Sequence, residues 1–312
     1  MKIAVLYGGE SPEREVSLKS GRAVAGALKK KGHKVCLLDP ARKNFFKKLL
    51  KAKPDCAFIA LHGGMGEGGV MQGFLEVLGI PYTGSGVRAS AVCLNKILTK
   101  KILAYHKLPT PAFVEVEKGK TVSLPFSLPA VVKPANLGST IGIKIVRNAR
   151  QLRSAVDECF MLDDQVFIEE YISGTEVTVG VLGDNRNPES LPVIEIETPD
   201  GFYDYRAKYT PGGSRHIIPP RLKDETVRKI EESSLNAYRV LGCSGFARME
   251  LITRRNVPYI LDVNTIPGMT GTSLLPDAAR AKGISFESLC ERIVRFAEKN
   301  AATENRRKNK RA

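Results

Sequence analysis

The chain has 312 residues, 43% of them apolar and 26% charged, and a formal net charge of +15. Such a length holds two or three well-filled cores, and the composition excludes a disordered or fibrous chain. No apolar run approaches a membrane span, and M-K-I-A-V-L-Y-G-G is too short in its apolar part for a secretory signal, so a cytoplasmic protein is expected.

The six cysteines are scattered without a C-x-x-C pair, and four histidines leave little for a zinc site. The cysteines read as small buried residues in a reducing compartment. Five positive charges lie in the tail (Arg306, Arg307, Lys308, Lys310 and Arg311), and +10 remains without them. Residues 301–312 lack apolar periodicity and read as a disordered, solvated end. No aromatic–basic interleaving suited to base stacking occurs, so nucleic acid is not the expected partner. An anionic substrate accounts for the remaining excess.

Taken in order, Lys2 to Leu6 is a buried strand of the parallel-sheet kind, and Gly8-Gly9 turn the chain. Val16, Ala23, Val24, Ala27 and Leu28 then recur at helical spacing, with Gly32 as the stop. The helix starts at Ser11-Pro12 or at Ser17. Lys34 to Leu38 and Pro54 to Leu61 are further strands. This rhythm predicts a small doubly wound domain that binds ligands at the carboxyl ends of its strands. Glu13, Arg14 and Glu15 follow the first strand, and His62-Gly63-Gly64 follows the third. Glu15 reads either as a first-turn carboxylate favoured by the helix dipole or as a group aimed at a substrate ammonium.

Lys96 to Tyr105 reads as an amphipathic surface helix, and L-P-T-P-A at 108–112 as a connector. Val131 to Val146 makes a strand-loop-strand unit around V-V-K-P-A-N-L-G-S-T-I-G. Gly138 and Gly142 allow close backbone approach, while Ser139 and Thr140 add hydroxyls. The stretch suits a phosphate cradle with Lys133 as a point charge, or else a glycine-rich hairpin turn. It is not a Walker A loop. A helix at 152–160 and strands at 165–171 and 176–181 follow. Tyr203 to Ser214 has the composition of a mobile lid. Asp224 to Leu241 is a helix that Gly242 stops.

Gly245 to Ile252 and Val257 to Asn264 are joined by a short polar turn and predict an antiparallel pair. Alternation puts Arg248 and Glu250 on one face, and Asp262 and Asn264 on one face of the partner. Two carboxylates plus an amide oxygen suit Mg²⁺ with substrate phosphates, and a guanidinium beside them suits developing negative charge. A surface salt-bridge ladder would use the same residues. The loop Ile266 to Leu274 offers backbone N–H groups and hydroxyls to an anion.

Seven of these stretches, in order, resemble the D-alanine–D-alanine ligase family of the ATP-grasp superfamily. They are G-G-E-S-P-E-R-E-V-S, A-L-H-G-G-M-G-E-G-G, P-Y-T-G-S-G-V, the 131–142 cradle, Y-D-Y-R-A-K-Y, G-F-A-R-M-E and L-D-V-N-T-I-P-G-M-T-G-T-S-L. The resemblance runs from Met1 to about Phe296. It implies an α/β, three-domain architecture: an N-terminal doubly wound parallel-sheet domain (1–87), then two α+β domains (88–172 and 173–300) that grip ATP between them. It implies ligation of two D-alanines for peptidoglycan precursor synthesis, with ATP as a substrate, two Mg²⁺ (or Mn²⁺), and a homodimer. Relatives using D-serine or D-lactate, and other carboxylate–amine ligases, are the alternatives.

Carried over by residue, Lys96, Lys133 and the lid's Lys208 contact phosphates, and Ser139 sits in the cradle. Glu169, Glu170, Tyr171 and Ile172 line the adenine pocket, and Glu176 holds the ribose. Glu250, Asp262 and Asn264 bind metal. Glu15, linked to Ser139 and Tyr209, holds the first D-alanine's ammonium, with His62 nearby. Arg248 and the Gly268 N–H hold the oxyanion. Ser273 and Leu274 receive the second D-alanine's carboxylate. The chain departs from the pattern at Glu250 and Asp262, whose side-chain lengths are exchanged, at Asn95 and Arg206, and in its basic tail.

Overall fold

The computed structural model describes residues 1–120, 122–198 and 213–309, with side chains to residue 302. The elements, in order, are β1 (Lys2–Leu6), α1 (Arg14–Lys30), β2 (Lys34–Leu38), α2 (Phe45–Ala52), β3 (Cys56–Ile59), α3 (Gly64–Glu67), α4 (Val70–Val77), α5 (Val87–Leu94) and α6 (Lys96–Tyr105). Next come β4 (Phe113–Val116), β5 (Ala130–Pro134), β6 (Lys144–Val146), α7 (Ala149–Phe160), β7 (Val166–Glu170), β8 (Thr175–Gly183), β9 (Glu189–Ser190) and β10 (Ile194–Glu197). The last are β11 (Arg215–Ile217), α8 (Asp224–Val240), β12 (Gly245–Arg254), β13 (Val257–Asn264), α9 (Leu274–Ala281) and α10 (Phe286–Asn309).

The first sheet is parallel, in the order β2-β1-β3. Its strands are apolar on both faces because helices cover both. Ile3, Val5 and Phe58 pack with Val24 and Leu28 of α1 and with Cys290, Ile293 and Val294 of α10. Ala4, Leu6 and Ile59 pack against Phe45 and Leu49 of α2 and Leu75 of α4. The chain's last helix therefore returns to its first sheet, where Lys30 meets Glu287 at 3.1 Å and His33 meets Glu291 at 2.6 Å. The other sheets are antiparallel, β4-β7-β5-β6 and β11-β10-β8-β12-β13, with β9 beside β8.

Residue 88 opens a segment shared between two sheets. Cys93 and Leu103 join the core of the larger antiparallel sheet, while Ile97 packs with Ala135 and Phe167 of the smaller one. Cys93 and Cys243 bring their sulfurs to 3.9 Å, and all six cysteines are free thiols. The tail differs from expectation. It continues α10 as far as Asn309, because Ala, Glu, Arg and Lys extend an already nucleated helix at little cost. Among the described residues, no helix is long and apolar enough to cross a membrane.

Candidate active site

A cavity of about 530 Å³ lies where the three sheets meet. Three features build it: the β1–α1 turn, the cradle after β5, and the β12–β13 ladder.

In the turn, Ser17 ties the chain down by accepting from the Gly8 N–H at 2.8 Å and donating to the Ala60 carbonyl at 2.7 Å. Glu13 stands at the N-cap position of α1 without capping it by its side chain, and is buried. Its carboxylate accepts a hydrogen bond from Ser139 Oγ, 126 residues away. A side chain added at Gly63 or Gly138 would put its Cβ 2.8 or 2.9 Å from Glu13 Oε2, so a larger residue at either position would press on this carboxylate. Glu15 is corrected here. It is exposed and does not line the cavity, because two residues of helix turn it away from the face that Glu13 presents. His62, buried, lines the same wall; its Nε2 meets Ser20 Oγ at 3.3 Å and its Nδ1 lies 3.5 Å from Glu67.

The cradle holds its shape by left-handed backbone at Ser139 (φ 51°) and Thr140 (φ 62°), a conformation costly outside glycine and typical of ligand clamps. The α6 N-terminus docks on it. The Lys96 N–H donates to the Ala135 carbonyl at 2.9 Å and Nζ to the Leu137 carbonyl at 2.8 Å. Asn95 caps α6 and bonds Asn136 and Gln165, giving the departure at this position a structural role. Lys133 projects from β5 to Glu169 on β7 at 2.5 Å, and Lys100 reaches the same carboxylate at 2.7 Å. Burial disfavours the Glu169 charge, but the two lysines outweigh it and hold the carboxyl below its ordinary range. Glu169 is therefore a salt-bridge centre as well as a wall of the cavity. Glu170 pairs with Arg254 at 3.1 Å.

In the ladder, Glu250 stands opposite Asp262 and Arg248 opposite Asn264. Arg248 is held on two sides, by Thr178 Oγ1 at 3.1 Å and Glu250 Oε1 at 2.6 Å. Asp262 lies 3.6 Å from Lys96 Nζ, so the ladder faces the cradle. No group of three or more His, Cys, Asp or Glu side chains able to hold a metal occurs among the described residues. Two carboxylates and an amide fit a Mg²⁺ that takes its remaining oxygens from phosphate and water.

The cavity thus gathers His62, Lys96, Lys133, Ser139, Glu169, Glu170, Tyr171, Ile172, Glu176, Arg248, Glu250, Asp262, Asn264 and Gly268. Ser273 and Leu274 do not line it. The Ser273 hydroxyl is taken by Thr270, and the Leu274 side chain belongs to the core. Ser273 sits beside Gly268, whose added Cβ would lie 2.9 Å from Ser273 Oγ. Lys208, Tyr209 and Arg206 lie outside the described residues. The sequence reading missed four groups: Glu13 and Glu67, both on the lining; Lys100; and Glu195, a lining residue gripped by Arg221 at 2.6 Å. The spacing of Lys96 and Lys100, one helical turn apart, was a usable signal for the third.

Residues 39–85 match the family described as D-ala D-ala ligase N-terminus, and residues 102–295 the D-ala D-ala ligase C-terminus. The D-alanine–D-alanine ligase of Desulforudis audaxviator is 49% identical over 303 residues, covering 95% of this chain and 98% of that one. The ligase of Carboxydothermus hydrogenoformans is also 49% identical, covering 94% and 97%. The crystal structure of the Bacillus anthracis D-alanine–D-alanine ligase complexed with ATP superposes with a TM-score of 0.85 at 34% identity, covering 97% and 99%.

Proposed function

The chain belongs to the D-alanine–D-alanine ligase family, and from that premise we propose that it joins two D-alanines, cleaving ATP to ADP and phosphate. The observation that carries this is the meeting on one cavity of the Glu13–Ser139 clasp, the two lysines, and the Arg248–Glu250–Asp262 ladder. A carboxylate is a poor acyl donor. Transfer of the γ-phosphoryl to the first D-alanine's carboxylate gives an acylphosphate with a good leaving group. The second D-alanine's amine attacks that carbonyl, and phosphate departs as the amide forms.

Each group has a part in that sequence. Glu13, in place of Glu15, receives the first ammonium. Lys96 and Lys133 offset phosphate charge. Arg248 and the Gly268 N–H stabilise the oxyanion of the tetrahedral intermediate. Ser273 and Leu274 begin α9, whose N-terminal amides favour the second carboxylate. Ser139 completes the clasp, and His62 lies on the same wall as Glu13. Glu169 to Ile172 and Glu176 bound the nucleoside. Glu250, Asp262 and Asn264 would hold Mg²⁺, which would supply positive charge against the transferring phosphoryl group.

The test is ADP formation with D-alanine, L-alanine, D-serine and D-lactate side by side. D-alanine alone is expected to support turnover. Absence of ADP with D-alanine, or a larger rate with another acid, overturns the assignment.

We also propose a homodimer that covers the outer face of α2 and α4, where Phe46, Leu50 and Val77 are 60, 56 and 86% exposed. Sedimentation is expected to show a dimer that Phe46→Glu converts to monomer. A wild-type monomer at micromolar concentration contradicts it.

A further inference from the structure

Lys100 is buried more deeply than either cavity lysine, at 1% exposure against 6% for Lys96 and 7% for Lys133. It does not line the cavity. Its Nζ lies 2.7 Å from Glu169 Oε2, donates to Thr110 Oγ1 at 2.8 Å, and is 5.5 and 6.0 Å from the ring centroids of Phe113 and Phe167. The other Glu169 oxygen is 2.5 Å from Lys133 Nζ. Two ammonium groups thus share one carboxylate in a dry interior, and the triad carries one net positive charge. Lys133 alone of the three combines that excess charge with a donor facing the cavity.

We propose that Lys100 is a positioning residue for the nucleotide site: it neutralises Glu169 from behind, so that Lys133 keeps its charge for the anionic ligand. With Lys100 gone, Glu169 would have Lys133 as its sole ammonium partner. That pair would be neutral, and an incoming phosphate would meet a carboxylate as well as a lysine. At short range in a low-dielectric interior such a change of one charge is felt strongly. The depth of Lys100 follows from this role. A cation that contacted ATP would stand on the lining, whereas one that offsets Glu169 belongs on the far side, where water cannot screen it.

The inference rests on the ATP reading above, and a two-residue cycle tests it. Lys100→Met is expected to raise the Kd for ADP and the KM for ATP about tenfold, the loss of one effective charge–phosphate contact, with kcat at saturating ATP changed by less than about threefold. Adding Glu169→Gln removes the carboxylate that Lys100 offsets. Because Glu169 also bounds the nucleoside, Glu169→Gln alone is the reference, and adding Lys100→Met to it is expected to change ADP affinity by less than about threefold. If Lys100 acted on the nucleotide independently of Glu169, the two losses would add. A further loss of about tenfold when Lys100→Met is added to Glu169→Gln overturns the proposal. Should Lys100→Met not fold, the double variant, in which Lys133 on the cavity lining is the one charge of the triad left, decides the matter against Glu169→Gln alone. ADP binding is measured calorimetrically without D-alanine, so failure of the ligase assignment and failure of this inference give separate results.

Discussion

Replacing Arg248 by alanine is expected to lower ligation about a thousandfold, the scale seen when an oxyanion donor is removed. ATP affinity is expected to stay within about threefold. The reason is geometric. Arg248 is buried at 8% exposure and fixed by Thr178 and Glu250, so its guanidinium is held in place before any charge develops. Preorganised donors of this kind favour the transition state over the ground state. The nucleotide is held mainly elsewhere, by the cradle and the lysines. Loss of the guanidinium leaves Glu250 beside a solvent-reached cavity, where water hydrates it, so the fold tolerates the change. Steady-state ligation and calorimetric ADP binding check the two halves. A fall in nucleotide affinity as large as the fall in turnover would move Arg248 from oxyanion stabilisation to ATP binding.

Glu13→Gln is expected to lower kcat/KM for D-alanine about a hundredfold, the scale of one charge-assisted hydrogen bond to an ammonium in a buried site. Glu15→Gln is expected to change it less than about twofold. Glutamine keeps the shape and can still accept from Ser139, so the difference isolates the charge. The glycines at 63 and 138 leave room for the Glu13 carboxylate, and Ser139 Oγ donates to it there. Comparable losses in the two variants, or a larger loss at Glu15, would return the ammonium-binding role to Glu15.

The β12–β13 ladder was legible because strand alternation is local. Reading R-M-E and D-V-N with period two put four polar groups on one face, and the register then placed Glu250 opposite Asp262. The cradle was legible because glycine and hydroxyl residues cluster in it. The choice between Glu13 and Glu15 was not. Both lie in one short acidic stretch, and which of them enters the cavity depends on the phase at which α1 starts, set by packing on β1. Lys100 looked like one of several lysines on a surface helix. Its burial comes from α6 being wedged between two sheets, one of them formed by strands over 60 residues further along the chain.

The sequence by itself determined the strands, the glycine-bounded loops and the chemical identity of the groups that face one another across a hairpin, since these depend on near neighbours. Only the tertiary structure decided which carboxylate enters the cavity, that Glu169 sits between two lysines, and that the last helix returns to the first sheet. Burial and charge pairing between distant segments have no local signature, because they arise only when separate elements exclude water from the same space.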